Sequence, residues 1–510
     1  MSRPQEVDPM KHVAGIPRQQ LVLFPESLDE YIAADNPVRF IDAFVDSLDI
    51  AAVGFAHTSV AETGRPPYDP RDLLKLYIYG YLNRVRTSRK LEQECYRNVE
   101  VMWLVRKLTP DHKTIADFRK DNRKAFKEVF KAFCLLCREL DLFGKELIAI
   151  DGSKFKAVNS SQRNFTQTKV KAYLQALEKR IEAYLKELDE LDQIEAPAIP
   201  SQRSAEQLQA KIEQLKTRQV KYQGYLKQME ESGESQLSLT DPDSRSMPKS
   251  PKAPVAYNVQ MAVDSKHHLI VAQDVTNDVT DRDQLSRMAV QAKETLGVEQ
   301  IKAVADMGYS HGKELKTCLD AGIEPYVARP DTSANTKLGL FGKERFVYDP
   351  DTDTYRCPAG QTLTYRFDTV EKGRHIRYYK TSACGQCAIR EKCTRNQEGR
   401  RITRWIDEHI IEETQQRVEA HPEIMQQRKE LVEHPFGTLK HWWDQGHFLM
   451  KGLEKVRAEF CLSTLAYNIR RVLNILGVPR LIAALRERKW TTFFSFLFSP
   501  CPVGRARSRI

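Results

Sequence analysis

Three acidic residues, far apart in the chain, are the ones whose type and setting could do chemistry. Asp151 closes the apolar run Leu147-Ile148-Ala149-Ile150 and precedes Gly152. Asp306 closes a second run, Ile301-Lys302-Ala303-Val304-Ala305, and precedes Met307-Gly308. Glu433 sits in Arg428-Lys429-Glu430-Leu431-Val432-Glu433-His434-Pro435-Phe436-Gly437-Thr438-Leu439-Lys440. Two acids at the ends of predicted strands and a third near a predicted helix form a donor set for hard cations, because Mg2+ takes oxygen ligands and few protein carboxylates. Two such ions can clamp the attacking and leaving oxygens of a phosphodiester. Gathered without cations, three carboxylates repel one another. Each acid alone has a bland reading: an Asp-Gly after a strand is usually a turn, and a lone Glu is a surface charge. The joint pattern shifts the balance: two acids at strand exits, a third in a late segment, and basic residues around each. Lys154 and Lys156 follow the first acid, Lys302 precedes the second, and Arg428, Lys429 and Lys440 flank the third. Lys440 lies two helical turns beyond Glu433, which predicts a shared face on which the lysine could hold a phosphate while Glu433 holds the metal.

These segments resemble the catalytic motifs of DDE transposases from bacterial insertion sequences, in the IS-eleven-eighty-two / IS-four-like branch that carries an N-terminal helical transposase domain. Asp151-Gly152-Ser153-Lys154-Phe155-Lys156-Ala157 resembles the first motif, and Tyr257-Asn258-Val259-Gln260 the strand that pairs back to it. Ala305-Asp306-Met307-Gly308-Tyr309 resembles the second motif and Val432-Glu433-His434-Pro435-Phe436-Gly437-Thr438 the third. His112-Lys113-Thr114-Ile115-Ala116-Asp117-Phe118-Arg119 resembles the preceding helical domain, and residues 240–247 a further family motif. The likeness runs over residues 25–478. It implies Asp151, Asp306 and Glu433 as catalytic metal ligands for two Mg2+ (or Mn2+) ions per site. The reaction implied is hydrolysis of a phosphodiester at the element's ends, then transfer of the freed 3′-hydroxyl into target DNA. The implied partner is double-stranded DNA, both terminal inverted repeats and target, held by a homodimer because two ends need two sites. The family's tyrosine-arginine-glutamate-lysine signature is incomplete. Arg428 or Lys429 fills the arginine place, but Met425 or Gln426 stands where a tyrosine is usual.

A chain of 510 residues, 41% hydrophobic and 29% charged, is long enough for several domains with real cores. Its net charge of +10 suits a polyanionic partner. No apolar run is long enough to span a bilayer, and the N-terminus lacks the apolar stretch of a signal peptide. A cytoplasmic protein without membrane partners is therefore expected, nucleoid-associated when on DNA. Its ten cysteines then read as thiols or metal ligands rather than disulfides.

The elements that must position the acids follow from periodicity. The expected fold class is α/β: an RNase H-like core, a mixed sheet flanked by helices, with three additions. These are an all-α N-terminal domain (1–145), a helical-hairpin insertion (160–254) and a small Cys-containing insertion (341–400). The core occupies 146–159, 255–340 and 401–478, in the order β-β-β-α-β-α-β-α, and 479–510 is a tail. In the helical domain Asp69 is a predicted cap. Arg84, Arg86 and Arg89, and Arg119 on a later helix, are candidate DNA contacts because phosphate binding needs positive charge within reach. Lys154, Lys156, Arg428, Lys429 and Lys440 join them. Residues 407–446 read as one long helical region; Pro435 must either start a helix or bend it. Glu430, Asp274, Asp278, Asp281 and Asp283 are expected to support the site rather than form it.

Cys357, Cys384, Cys387 and Cys393 lie in the small insertion. Cys384-Gly385-Gln386-Cys387 has metal-ligand spacing, so the four are candidates for a structural Zn2+; the alternative is free thiols on a β-module. Cys95, Cys134, Cys137, Cys318, Cys461 and Cys501 read as packing residues, Cys134 and Cys137 included despite their redox-pair spacing. Three rival functions remain: a DNA-binding relative that no longer cuts, an RNase H-like nuclease that cuts without joining, and a helical scaffold, which leaves the acids unexplained.

Overall fold

Apolar β-formers build the central sheet. In the computed structural model, which describes residues 27–58, 67–192, 205–247, 254–330, 334–371 and 373–487, β1 (Leu147–Lys156) starts with four fully buried residues, as a strand covered on both faces must. β2 (Val255–Asp264), buried along its whole length, pairs antiparallel with β1 and, after a turn, with β3 (Ile270–Thr276). The helices Leu285–Leu296 and Gly312–Asp320 then carry the chain back to β4 (Ile301–Ala305) and β5 (Ile323–Val327), which run parallel to β1. Across the sheet the order is β3-β2-β1-β4-β5, with the two-residue strand Arg245–Ser246 pairing to β2. The architecture is mixed α/β with a helical N-terminal region. The stretch Ala196-Pro197-Ala198-Ile199-Pro200, whose prolines predict the break between the two helices of the hairpin insertion, and the tail after 487, with Cys501, lie outside the described residues.

The first strand expected within 146–159 forms as β1, and what fails is the turn expected at Gly152: the strand does not end at Asp151. Its parallel pairing with β4 stops at Ile150↔Ala305, but its pairing with β2 runs on to Lys156↔Ala256. Gly152 therefore makes no turn; it stands opposite Gln260 in an extended ladder.

The late helical region also breaks. Glu408–Ala420 ends at His421, and Pro422 opens the next helix, Pro422–Gly437, where a missing N–H costs nothing. Pro435 sits inside that helix, which passes into a π turn at Thr438–Trp442. A proline removes one ladder donor, and π turns absorb such faults. This helix packs on β1, β2 and β4.

The helix Leu453–Leu476 is buried almost all round, between β3 and the N-terminal helices Pro70–Leu82 and Arg123–Glu139. One continuous apolar core consequently joins the N-terminal helices to the sheet. Asp69 caps the first of them by accepting from Arg71 N–H at 2.8 Å. The motif at 240–247 anchors the start of Leu453–Leu476. Asp241 Oδ1 accepts from the Tyr257 hydroxyl (2.7 Å) and Gly452 N–H (3.0 Å), and Asp243 Oδ2 from Leu453 N–H (2.7 Å). A helix start with free N–H groups favours anions there.

The first insertion is an antiparallel helix pair, Gln167–Asp192 and Ala205–Ser232, with Leu177, Ile181, Ile212 and Leu215 buried between them. The second carries five antiparallel strands, Val347–Asp349, Thr354–Arg356, Thr362–Glu371, Arg374–Lys380 and Arg401–Trp405, with a separate small core. Among the described residues no helix is long and apolar enough to cross a membrane.

Candidate active site

Sheet register puts two acids side by side. Ile150 and Ala305 are partners on parallel neighbours, so the next residue of each chain, Asp151 and Asp306, emerges at the same level. Asp306 leaves its strand and accepts from Gly308 N–H at 2.8 Å. Asp151 stays in β1, three-quarters buried. Burial pushes its carboxyl up to about 6; the Arg428 charge and the Gly152 N–H pull the other way, and the charges of Asp306 and Asp281 add to the rise.

Asp281 is a further acid of this pocket, although the sequence assigned it only a supporting place. Its Oδ1 accepts from Asn258 (2.7 Å) and Gln260 (2.8 Å) and pairs with Lys154 (3.4 Å). Asn258 and Gln260 are fully buried on β2, two residues apart and so on one face. Amides alternating within an apolar strand were the signal for a buried anion opposite them. Beneath them the buried Tyr309 hydroxyl donates to Gln260. Its own pKa is driven far up, by burial first and then by the charges of Asp281, Asp151 and Asp306. Gly152 is needed for space: a Cβ there would stand 2.4 Å from Gln260 Nε2, 2.6 Å from Asp281 Oδ1 and 3.0 Å from the Tyr309 hydroxyl. Asp274, Asp278 and Asp283 instead hold Arg287 and Arg457, the Thr276–Gln284 turn, and His311.

Two cations reach the pocket from the facing helix and its π turn. Arg428 lies 3.7 Å from Asp151 Oδ2, and its buried Nε has no partner. Lys440 donates to the Ser153 hydroxyl and sits 4.9 Å over the Phe155 ring. Burial lowers the Lys440 pKa and the Asp151 charge opposes that. Of the two candidates for the signature arginine, Arg428 therefore faces the acids and Lys429 is exposed. Glu433 is exposed on the same helix and makes no ion pair or side-chain hydrogen bond among the described residues. It follows Arg428 by five positions, about 140° around the axis. The π turn intervenes before Lys440, so the predicted two-turn spacing between Glu433 and Lys440 is not kept. Among the described residues no three Asp, Glu, His or Cys side chains form a group able to hold a metal ion as they stand.

The basic candidates divide. Arg84, Arg89 and Lys156 are exposed. Arg86 and Arg119 are buried, and the expectation that they meet DNA is corrected. Arg86 donates to the carbonyls of His447 (3.0 Å) and Asp444 (3.3 Å) and faces Glu459 at 3.6 Å. Arg119 donates to the Tyr81 hydroxyl and lies over the Tyr77 ring. Both serve a buried network around Glu459, which also accepts from Leu449 and Met450 N–H; a charge removed from water must find such partners. Cys134 and Cys137 are fully buried packing residues whose thiol pKa values burial drives far up. Cys357, Cys384, Cys387 and Cys393 surround one cavity in the small β-module.

Among known families, residues 26–121 match a transposase domain (DUF772) and residues 356–473 match a transposase DDE domain. The second match contains Glu433 and the four cysteines; Asp151 and Asp306 lie between the two. No curated protein matches the chain. Among solved structures, a piggyBac transposase in a synaptic complex with hairpin DNA is similar over 91% of this chain and 82% of its own, at 10% identity and a TM-score of 0.30. A likeness that low carries no argument.

Proposed function

Starting from a chain that is a DDE transposase of the insertion-sequence type, as its two family matches fit, we propose that Asp151 and Asp306 are the heart of its phosphoryl-transfer site. The observation that carries this is their shared level on adjacent parallel strands, roofed by Arg428 and Lys440. The strand order β3-β2-β1-β4-β5, with β2 antiparallel to its neighbours, supports an RNase H-like reading of the core.

The donor chemistry fits Mg2+ or Mn2+. Asp151 is a buried acid whose charge is opposed by two neighbouring acids and only partly offset by Arg428, and hard cations take such oxygens. Asp151 and Asp306 would hold the ions, with Glu433 brought in from its helix as the third ligand. A bound divalent ion supplies neutralisation of the phosphate charge and alignment of its oxygens. The chain's own residues do the rest. Arg428 and Lys440 take the non-bridging phosphate oxygens, since both are cations held against the acids. The amides of Asn258 and Gln260, through Asp281, hold the Lys154 side chain at the pocket. Water then attacks the phosphorus at the element's end, and the bridging oxygen leaves as a 3′-hydroxyl. In a second in-line displacement that hydroxyl attacks a target phosphodiester. Positioning and charge neutralisation lower both barriers. Two ends require two such sites, hence a homodimer on double-stranded DNA.

Asp151→Ala should abolish cleavage of a terminal-repeat substrate while leaving DNA binding nearly intact; full cleavage by this variant would refute the assignment. A non-cutting relative has one observation in its favour, the exposed and unpartnered Glu433. A metal-dependent nicking assay separates that reading, and a pre-cut end offered for strand transfer separates a nuclease that never joins.

A further inference from the structure

The small β-module is poor in core. Its core cluster is Phe346, Tyr355, Leu363, Tyr379, Cys393 and Ile402, with Ile376 and Trp405 buried outside it, little for five strands, and modules with so little core usually need a staple. No staple comes from disulfides, for all four cysteines here are free. Yet they arrive together from separate turns. Cys357 opens the tight turn after Thr354–Arg356, accepting from Gly360 N–H (2.9 Å) and donating its own N–H to Gln361 O (2.9 Å). Cys384 comes from the short 3-10 turn Ser382–Gln386, Cys387 directly follows it, and Cys393 ends the short helix Arg390–Cys393. All four line one cavity of about 20 Å³, the room of a single water or ion. Arg400 lines it too, nine-tenths buried, with its Nε lacking any partner.

We propose that Cys357, Cys384, Cys387 and Cys393 bind one structural Zn2+, with Arg400 offsetting part of the negative charge of the tetrathiolate. Four cysteines lining a cavity of one-ion size, with no disulfide among them, supply the donor set of a tetrahedral site made of four cysteine thiolates. As the side chains stand, no three of them grip an ion, so the sulfurs must close by side-chain rotation, and Cys357, Cys384 and Cys387, only partly buried, are free to do so.

The test uses the full chain. Elemental analysis of the purified protein should give one zinc per chain, released by a mercurial thiol reagent. Cys384→Ser and Cys393→Ser should each lose it, and Cys95→Ser, in the N-terminal helices, should keep it. Because a variant could lose metal by misfolding, Co2+ is also added to the reduced wild-type chain after chelation. The expected result is the absorption of tetrahedral cobalt-thiolate. Hydrogen exchange over 341–405 should then slow. Absence of stoichiometric zinc together with no cobalt-thiolate spectrum would overturn the proposal, as would iron in place of zinc.

Discussion

The carboxylate pocket and the cysteine cavity both gather ligand-type side chains, but by opposite constructions. The pocket joins residues about 150 positions apart through the register of two parallel strands, so its acids are placed by the stiffest part of the molecule. The cavity joins residues 357–393 through local turns in a module with a small core. In the first, structure holds like charges together against their repulsion; in the second, ligands would help to hold the structure. Removing a pocket acid should therefore abolish chemistry and spare the fold, whereas removing a cysteine should loosen the module. Substitutions can break or sharpen that contrast.

The largest effect is expected at the paired aspartates and the acid that joins them. Asp306→Asn should lower end cleavage by about 10³-fold or more, the scale on which removing a charge-stabilising group acts, with the unfolding midpoint unchanged or raised. Glu433→Gln should cost as much despite its exposure, if its helix closes on DNA. Full activity of Glu433→Gln with an inactive Asp281→Asn would move the third ligand to Asp281 and leave the helix to supply cations only. Asp281→Asn alone should be milder, since an amide can still keep part of the contact with Asn258, Gln260 and Lys154.

Next comes the buried Arg86–Glu459 pair, which ties the N-terminal helices to the core. Arg86→Ala strands a buried carboxylate and should cost about 3–5 kcal/mol in urea unfolding. A variant as stable as wild type but weaker on DNA would return Arg86 to the DNA surface.

Asp151 makes the repulsion in the pocket measurable. With a chelator present, its carboxyl keeps its proton up to about 6 in the folded chain, against about 3.9 when unfolded. Between those values the folded state binds more protons, so this group's contribution to stability is full below about pH 4 and is lost as pH rises through about 6. Two units amount to about 3 kcal/mol. Asp151→Asn should remove that part of the slope, and Mg2+ should remove it in the wild type. Equal pH slopes for wild type and variant, read from thermal unfolding, would contradict the crowded-acid picture. At Gly152 the effect is smaller: Gly152→Ala forces a methyl onto Gln260, Asp281 and Tyr309 and should cost about 1–3 kcal/mol, with activity falling further because those groups border the acids.

What the sequence disclosed divides along the same line. Strands, hairpin insertion and the places of Asp151 and Asp306 after apolar runs were legible because apolar runs and helical spacing state them locally; the shared level of the two acids was not, because strand register sets it. The glycine was read as a turn because Asp-Gly usually is one; only the crowd of Gln260, Asp281 and Tyr309 explains it, and that crowd is made by tertiary structure. Arg86 and Arg119 looked like surface charge because Glu459, which buries them, lies hundreds of residues away. Asp281 was set among supporting acids because nothing local distinguishes it from Asp278 or Asp283. The phase of the Glu433 helix was misjudged because the π turn after Pro435 shifts it, and no periodicity announces a π turn.

The smallest effects belong to the exposed basic residues, and they sharpen the comparison from outside. Arg84 and Arg89 are exposed, unlike their buried neighbour Arg86. If each meets one phosphate, Arg84→Ala and Arg89→Ala should each lower the slope of log K against log salt by about 0.9, weakening all sequences alike. Neither should shift the unfolding midpoint by more than about 0.5 kcal/mol, as is usual for exposed sites. The contrast with Arg86→Ala then separates, within one stretch of three arginines, charge that addresses DNA from charge that closes the protein around Glu459. An unchanged salt slope in both variants would place the DNA path elsewhere, with Lys156 and Lys429 the next exposed cations to test.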